Sequence, residues 1–414
     1  MSISKHSGSL VTLLLLFLQF ATPFQSHAQP NAPPSPDSVQ NKLEKARKSY
    51  ELFPLNENLK HTLAEEYAGN SYTLFRQNQF EQADEFILKA IELYPDKPAY
   101  ALLRGICLYS MKKYDIARYE LERVRSLQPE SVEGLIYLGL VQYETDNRQE
   151  AVQLWEQALI LAPGRNEIIQ LLQKARKEAA VEEKMDRGHS SRFNLTYDPG
   201  VPATFAQAVL DVLESASNQI GSELGHFPEA RVPVVIYKRD DYKSVTNSPD
   251  WSGGVYDGTI RLPFGTMSEI NPGLRSVLFH EYAHVVVFDL TRGNCPLWLN
   301  EGIAEIFGRK QLGESATAHL QNSRKGAAVD IRKLEGSFTA LSSVDANAAY
   351  QQSFSIVQYM VASYGWHRIQ QILTGLGQGM NVNDAVAAAL KSYDLSYDGL
   401  VKEWQEATIR ENAR

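Results

Sequence analysis

The sequence predicts two architectures in one chain, an α-helical solenoid of repeated helix pairs followed by an α+β domain. Three observations carry this prediction. Small residues and prolines recur every 34 positions between about residues 57 and 164. A strand and a hairpin pattern fall within residues 232–262. Beyond them, two helix-like segments carry histidines and carboxylates at regular spacing. At 414 residues the chain is long enough for two domains.

In chain order, an apolar run at residues 10–21 follows Lys5, and Ser26-His27-Ala28 puts small residues at cleavage spacing. This predicts a secretory signal peptide over residues 1–28, cut after Ala28. The run is too short for a comfortable membrane span, and no cysteine follows it to carry a lipid. The expectation is a secreted or periplasmic protein without a stable membrane anchor. Residues 29–56 read as a flexible, proline-rich terminus and a leading helix over 38–54.

The repeats come next. Pro95, Pro129 and Pro163 are spaced by 34, as are Ala83, Ala117 and Ala151, and Gly105 with Gly139. Small residues suit the places where paired helices cross closely, and proline suits the end of a pair. Several independent positions in one register resemble the tetratricopeptide (TPR) repeat, here three times, with residues 166–185 as a solvating cap helix. The resemblance assigns residues 57–185 to TPR repeats and implies a protein partner at the TPR groove. A joint is expected near residues 186–200, where Arg187-Gly188-His189-Ser190-Ser191 interrupts the helices. The formal net charge of −8 argues against nucleic acid as a partner. Cys107 and Cys295 fall in different domains, and no disulfide is expected.

Residues 186–414 form the second expected domain. Val232-Pro233-Val234-Val235-Ile236-Tyr237 has strand composition. Residues 254–262 read as a hairpin, with Asp257-Gly258 suited to a type I′ turn. Asn271 can cap a helix that starts at Pro272, with Arg292 in its last turn and Gly293 as its end. A second helix fits residues 296–307, with Gly308 as its stop.

The first of these helices contains His280-Glu281-Tyr282-Ala283-His284. Four residues on a helix turn through roughly 400°, so the two imidazoles share a face and can reach one metal ion. Catalytic zinc takes three protein ligands and keeps a further position open. Glu301, 17 positions beyond His284, is the third donor, and Glu281 keeps its carboxylate free as a general base. Zinc lowers the pKa of bound water and polarises a scissile carbonyl. A carboxylate on Glu305 can orient an imidazole. The competing reading, surface histidines on an amphipathic helix, leaves the carboxylates of the second helix unexplained.

HEYAH followed by Trp298-Leu299-Asn300-Glu301-Gly302-Ile303-Ala304-Glu305 resembles the gluzincin metallopeptidases of the peptidase MA-like type, over about residues 190–410. The resemblance implies an α-helical TPR solenoid followed by an α+β zincin-like (gluzincin) metallopeptidase domain. Zn2+ would be held by His280, His284 and Glu301, with Glu281 as base and Glu305 against a ligand histidine. In this group the strand before the metal helix receives substrate backbone, and a later helix supplies an oxyanion donor. The segment from Ala349 to Gly365 is similar to a recurrent one of such chains, which makes Tyr350 the candidate, with Tyr359 and His367 behind it. Sixteen residues separate HEYAH from Glu301, fewer than in thermolysin relatives, and the aminopeptidase G-x-M-E-N segment is missing. An endopeptidase acting on peptide or protein substrate is therefore the expectation. The alternative is a TPR-based binding or scaffold protein whose metallopeptidase-like domain turns over little.

Overall fold

The computed structural model describes residues 36–246, 255–265, 269–312, 330–336 and 343–412. The signal-peptide segment, residues 29–35 of the proline-rich segment and the first residue of the expected hairpin lie outside them. The chain divides into two compact units, one ending at Glu183 and one beginning at Lys184.

The first unit is helical throughout its described residues: α1 (Pro36–Leu52), α2 (Glu57–Arg76), α3 (Phe80–Leu93), α4 (Pro98–Ser110), α5 (Tyr114–Leu127), α6 (Val132–Glu144), α7 (Arg148–Leu161) and α8 (Asn166–Glu182). The 34-residue period is visible in the backbone. The helices α3, α5 and α7 start at residues 80, 114 and 148, and α4, α6 and α8 at 98, 132 and 166. Asn78, Lys112 and Asp146, each in the turn within a helix pair, all adopt left-handed φ of 59°, 57° and 66°. Ala83, Ala117 and Ala151 are fully buried. A Cβ on Gly105 would stand 2.7 Å from Leu121, and one on Gly139 would stand 2.4 Å from Trp155. A larger side chain at either position would push Leu121 or Trp155 out of place. Trp155 Nε1 donates to the Ile136 carbonyl (3.1 Å), and Arg148 Nε reaches Glu178 (3.0 Å) and Glu182 (3.1 Å) on the cap helix α8.

The second unit is built on a five-stranded sheet in the order β1-β2-β3-β5-β4. Its strands are β1 (Asp186–His189), β2 (Phe193–Tyr197), β3 (Val232–Lys238), β4 (Val255–Tyr256) and β5 (Ile260–Phe264). The central strands β2, β3 and β5 are parallel, and β1 and β4 are antiparallel edges. The parallel β2–β3 pair needs a crossover, which α9 (Ala203–Leu224) provides. The residues of the expected joint hold β1 and β2. Polar β1 has no alternating pattern of its own and takes its register from β2, with Asp186 opposite Tyr197. The hairpin also differs from expectation. Its loop holds three residues, 257–259, and only Gly258 has positive φ (103°), so the turn is not type I′, which needs two such residues.

After β3 and the short α10 (Arg239–Thr246) come the helices that matter for chemistry: α11 (Pro272–Thr291), α12 (Leu297–Lys310), α13 (Ser343–Tyr364), α14 (Trp366–Gly377), α15 (Val382–Ala389) and α16 (Tyr397–Asn412). Helix α11 packs on α9, α12 and α14, and α12 packs on α13. Phe279, Ala283, Val286, Trp298, Ile303 and Ala304 are completely buried between these elements. Tyr282 donates to Ser217 on α9 (2.9 Å) and meets Phe193 of β2 edge-on, so α11 is anchored from behind. No described helix is long and apolar enough to cross a membrane.

Candidate metal centre

Helix α11 starts where Asn271 accepts a hydrogen bond from the Leu274 amide (2.8 Å), just before Pro272 at the first helical position. It ends one residue earlier than expected, because Arg292 already takes left-handed φ (54°) ahead of Gly293 (79°). Between these caps His280 and His284 lie one turn apart, their rings edge to face and their Nε2 atoms 3.1 Å from each other. Glu301 reaches across from α12. Its Oε2 is 3.6 Å from His280 Nε2 and 3.5 Å from His284 Nε2. One donor atom from each residue lies within 4.8 Å of the others, which makes a possible metal site.

The chemistry of this cluster suits a cation. Glu301 Oε2 is buried and makes no hydrogen bond. A buried acceptor left so costs about 1–3 kcal/mol, and a charged one more. Burial would drive His280 toward neutrality, yet Glu301, Glu281 and Glu305 around it push its pKa up to about 9. Burial would likewise raise Glu301, but the His284 and His280 imidazoles outweigh it and hold the carboxyl below its usual range. Two imidazole nitrogens and a carboxylate oxygen, converging where positive charge is favoured, match the donor set of a three-ligand zinc site.

Close helix contact brings the donors together. A Cβ on Gly308 would lie 3.1 Å from the Ser276 carbonyl and 3.3 Å from His280 Cβ. Gly308 was expected to stop α12; it lies inside the helix, which runs on to Lys310, and its missing side chain lets α12 approach α11. On the opposite side a Cβ on Gly302 would stand 2.3 Å from the Ser353 carbonyl oxygen of α13. The residue after Glu301 is thus a backbone contact between two helices.

Behind the donors, His284 Nδ1 is 3.0 Å from Asn300 Oδ1, an acceptor suited to a proton on Nδ1, and Nε2 faces the centre. His280 Nδ1 faces Glu305 Oε1 at 3.6 Å, an ion-pair distance and longer than a good hydrogen bond. Arg309 Nε donates to the other oxygen of Glu305 at 2.6 Å. Neither Asn300 nor Arg309 was singled out from the sequence. Asn300 adjoins Glu301, and Arg309 follows Glu305 by four, a helical ion-pair spacing that could have flagged it.

Glu281 stands beside the donors, 6 % exposed. Burial raises its carboxyl above the usual range; the two imidazoles oppose this, and Glu301 and Asp257 add to it. A carboxylate moved toward neutrality is suited to taking and returning a proton. Tyr350 is on α13, half-buried, and burial together with the charges of Glu301, Glu305 and Glu281 pushes its phenol up, so it stays a hydrogen-bond donor. Tyr359 instead donates to Glu403 (3.2 Å) beside Tyr364 (2.6 Å), and His367 lies against Gly365 at the start of α14. Cys295 is half-buried with a free thiol whose pKa is raised by burial, and it is not among the converging donors.

The chain is similar to known proteins over parts of its length. An 80-residue stretch is 29% identical to the Protein CTR9 homolog of Arabidopsis thaliana, covering 19% of this chain and 7% of that relative's length. Among solved structures, the first TPR domain of human RPAP3 is similar at 20% identity, with a TM-score of 0.28, over 29% of this chain and 94% of that one. A thermophilic TPR protein of Thermus thermophilus is similar at 19% identity, with a TM-score of 0.25, over 34% of this chain and 74% of that one. Residues 216–410, which include His280, Glu281, His284, Glu301 and Tyr350, match the family model of the Peptidase MA superfamily, and the chain therefore carries a Peptidase MA domain.

Proposed function

We propose that the chain is a zinc-dependent peptidase, an exported endopeptidase of the gluzincin kind, whose repeats recruit a substrate or partner protein at the TPR groove. One observation carries this reading: two imidazole nitrogens of His280 and His284 and a buried Glu301 carboxylate oxygen that makes no hydrogen bond lie within 4.8 Å of one another, with Glu281 next to them in the chain and outside the donor set. His280 Nε2, His284 Nε2 and Glu301 would hold zinc, which supplies Lewis-acid polarisation of the scissile carbonyl and acidifies water. Glu281 accepts the proton of the attacking water and returns it to the leaving nitrogen. The Tyr350 hydroxyl donates to the oxygen on which negative charge develops. Asn300 and Glu305 orient the imidazoles through their far nitrogens. Substrate backbone would run beside β5, which β4 pairs only at Ile260 and Arg261 among the described residues.

The test separates the two glutamates. In Glu281→Gln, zinc content is expected to stay at the wild-type level while turnover of a peptide library falls by roughly 10²–10⁴. In Glu301→Ala, zinc affinity and activity are expected to fall together. A Glu281→Gln chain as active as wild type would sink the mechanism, and a binding or scaffold role with little turnover would replace it. For export, mass spectrometry of the secreted or periplasmic protein is expected to find Gln29 as its first residue. Intact Met1 on cytoplasmic protein would refute that part alone.

A further inference from the structure

We propose that Arg309 is a positioning residue of the metal centre, holding the Glu305 carboxylate toward His280 and tying that carboxylate to α13. This rests on the reading of His280 as a zinc ligand. Glu305 has two oxygens with different tasks: Oε1 faces His280 Nδ1 at 3.6 Å, and Oε2 receives the Arg309 Nε proton at 2.6 Å. The longer contact does not by itself orient a flexible glutamate. The short charge-assisted bond to Arg309 does.

Arg309 is itself held in place. Its side chain is only 15% exposed, and its guanidinium carbon lies 4.1 Å from the centre of the Phe354 ring on α13. Phe354 is 5% exposed and stands one helical turn after Tyr350. A planar guanidinium can stack on a ring and donate from its edge at the same time, which an ammonium cannot do. The chain of contacts runs Phe354, Arg309, Glu305, His280, so the helix carrying Tyr350 and the helix carrying His280 are registered through one arginine.

The measurement is zinc affinity of the full chain, by competition with a fluorescent chelator, with thermal unfolding of the same samples. Arg309→Met keeps the apolar stem over Phe354 and removes the donor; its affinity is expected to fall by roughly 10–100-fold. Glu305→Gln should lose a comparable factor, and the double variant no more than the weaker single, because both changes break one linkage. Arg309→Lys, which keeps a donor, should lie between Arg309→Met and wild type. Should Arg309→Met not fold, Phe354→Leu decides instead, with an expected loss on the order of three-fold that vanishes in the Glu305→Gln background. Undiminished affinity in Arg309→Met (or in Phe354→Leu when that variant decides), or losses that multiply in the double variant, would overturn the proposal. A wild-type chain that takes up no zinc would overturn the zinc reading and this proposal with it.

Discussion

Replacing Gly302 by alanine sets two physical effects against each other with opposite signs. Within a helix alanine is favoured over glycine by about 1 kcal/mol, so propensity alone predicts a more stable chain. The structure predicts the reverse. The new Cβ would stand 2.3 Å from the Ser353 carbonyl oxygen and 2.4 Å from Val357 Cγ2. Carbon and carbonyl oxygen approach to about 3.3 Å even in favourable contacts, so α12 and α13 must part by about 1 Å. The obstacle is backbone and cannot rotate away. Overpacking of this kind costs about 3 kcal/mol at the upper end of its usual range, which leaves a net loss of about 2 kcal/mol after the propensity gain. For a unit of this size that is a fall of about 4–8 °C in its melting transition. Glu301 is the preceding residue, so its carboxylate moves too, and a 1 Å misplacement can cost about 10²-fold in rate. Differential scanning calorimetry, zinc titration and peptide turnover on the one variant read all three effects. A Gly302→Ala chain that melts higher than wild type with unchanged zinc affinity would refute the close crossing of α12 and α13.

Other expectations are simpler. Tyr350→Phe should lower kcat on a peptide by roughly 10²–10³ with zinc affinity unchanged, as measured by steady-state kinetics and metal titration; unchanged kcat would remove Tyr350 from the reaction. Asn300→Ala frees the far nitrogen of His284 and should weaken zinc by roughly 10–100-fold in a chelator competition, while wild-type affinity would show that the 3.0 Å contact does not orient the ring. Asn271→Ala removes the cap accepted from Leu274 and should destabilise the second unit by about 1 kcal/mol in denaturant unfolding, with no change in m-value.

The repeats were legible because one spacing is imposed three times by one packing problem. Gly105 and Gly139 exist where Leu121 and Trp155 leave room for nothing larger, and the period survives into the backbone dihedrals of Asn78, Lys112 and Asp146. The histidine pair was legible because two imidazoles that share one face of a helix sit one turn apart, and Glu301 because a nearby second helix repeats carboxylates at the same spacing. What escaped the sequence depends on partners that a local pattern does not reveal. The strand β1 has no apolar alternation and is a strand only because β2 lies beside it. Gly308 reads locally as a stop, and only the approach of α11 shows why glycine stands there. The helix α9 was readable, since Phe205, Val209, Val212, Leu213, Ala216 and Ile220 keep helical spacing on one buried face, but it carries no chemistry and drew no attention. Arg309 gained meaning only when Glu305 was seen to have one oxygen on His280 and one to spare.

The wall behind Glu301 comes late in the chain. The helix α13, which Gly302 touches, begins only at Ser343, whereas both histidines and Glu301 precede residue 302. A polypeptide leaves the ribosome N-terminus first. The repeats close on neighbours a few tens of residues away and can fold as they emerge, because their contacts are local. The metal centre has to wait. A nascent or C-terminally clipped chain ending before Ser343 would carry the histidine pair and the glutamate without the helix against which Gly302 packs. The order of synthesis therefore completes the packing around Glu301 only after the repeats and the larger part of the second unit have been made.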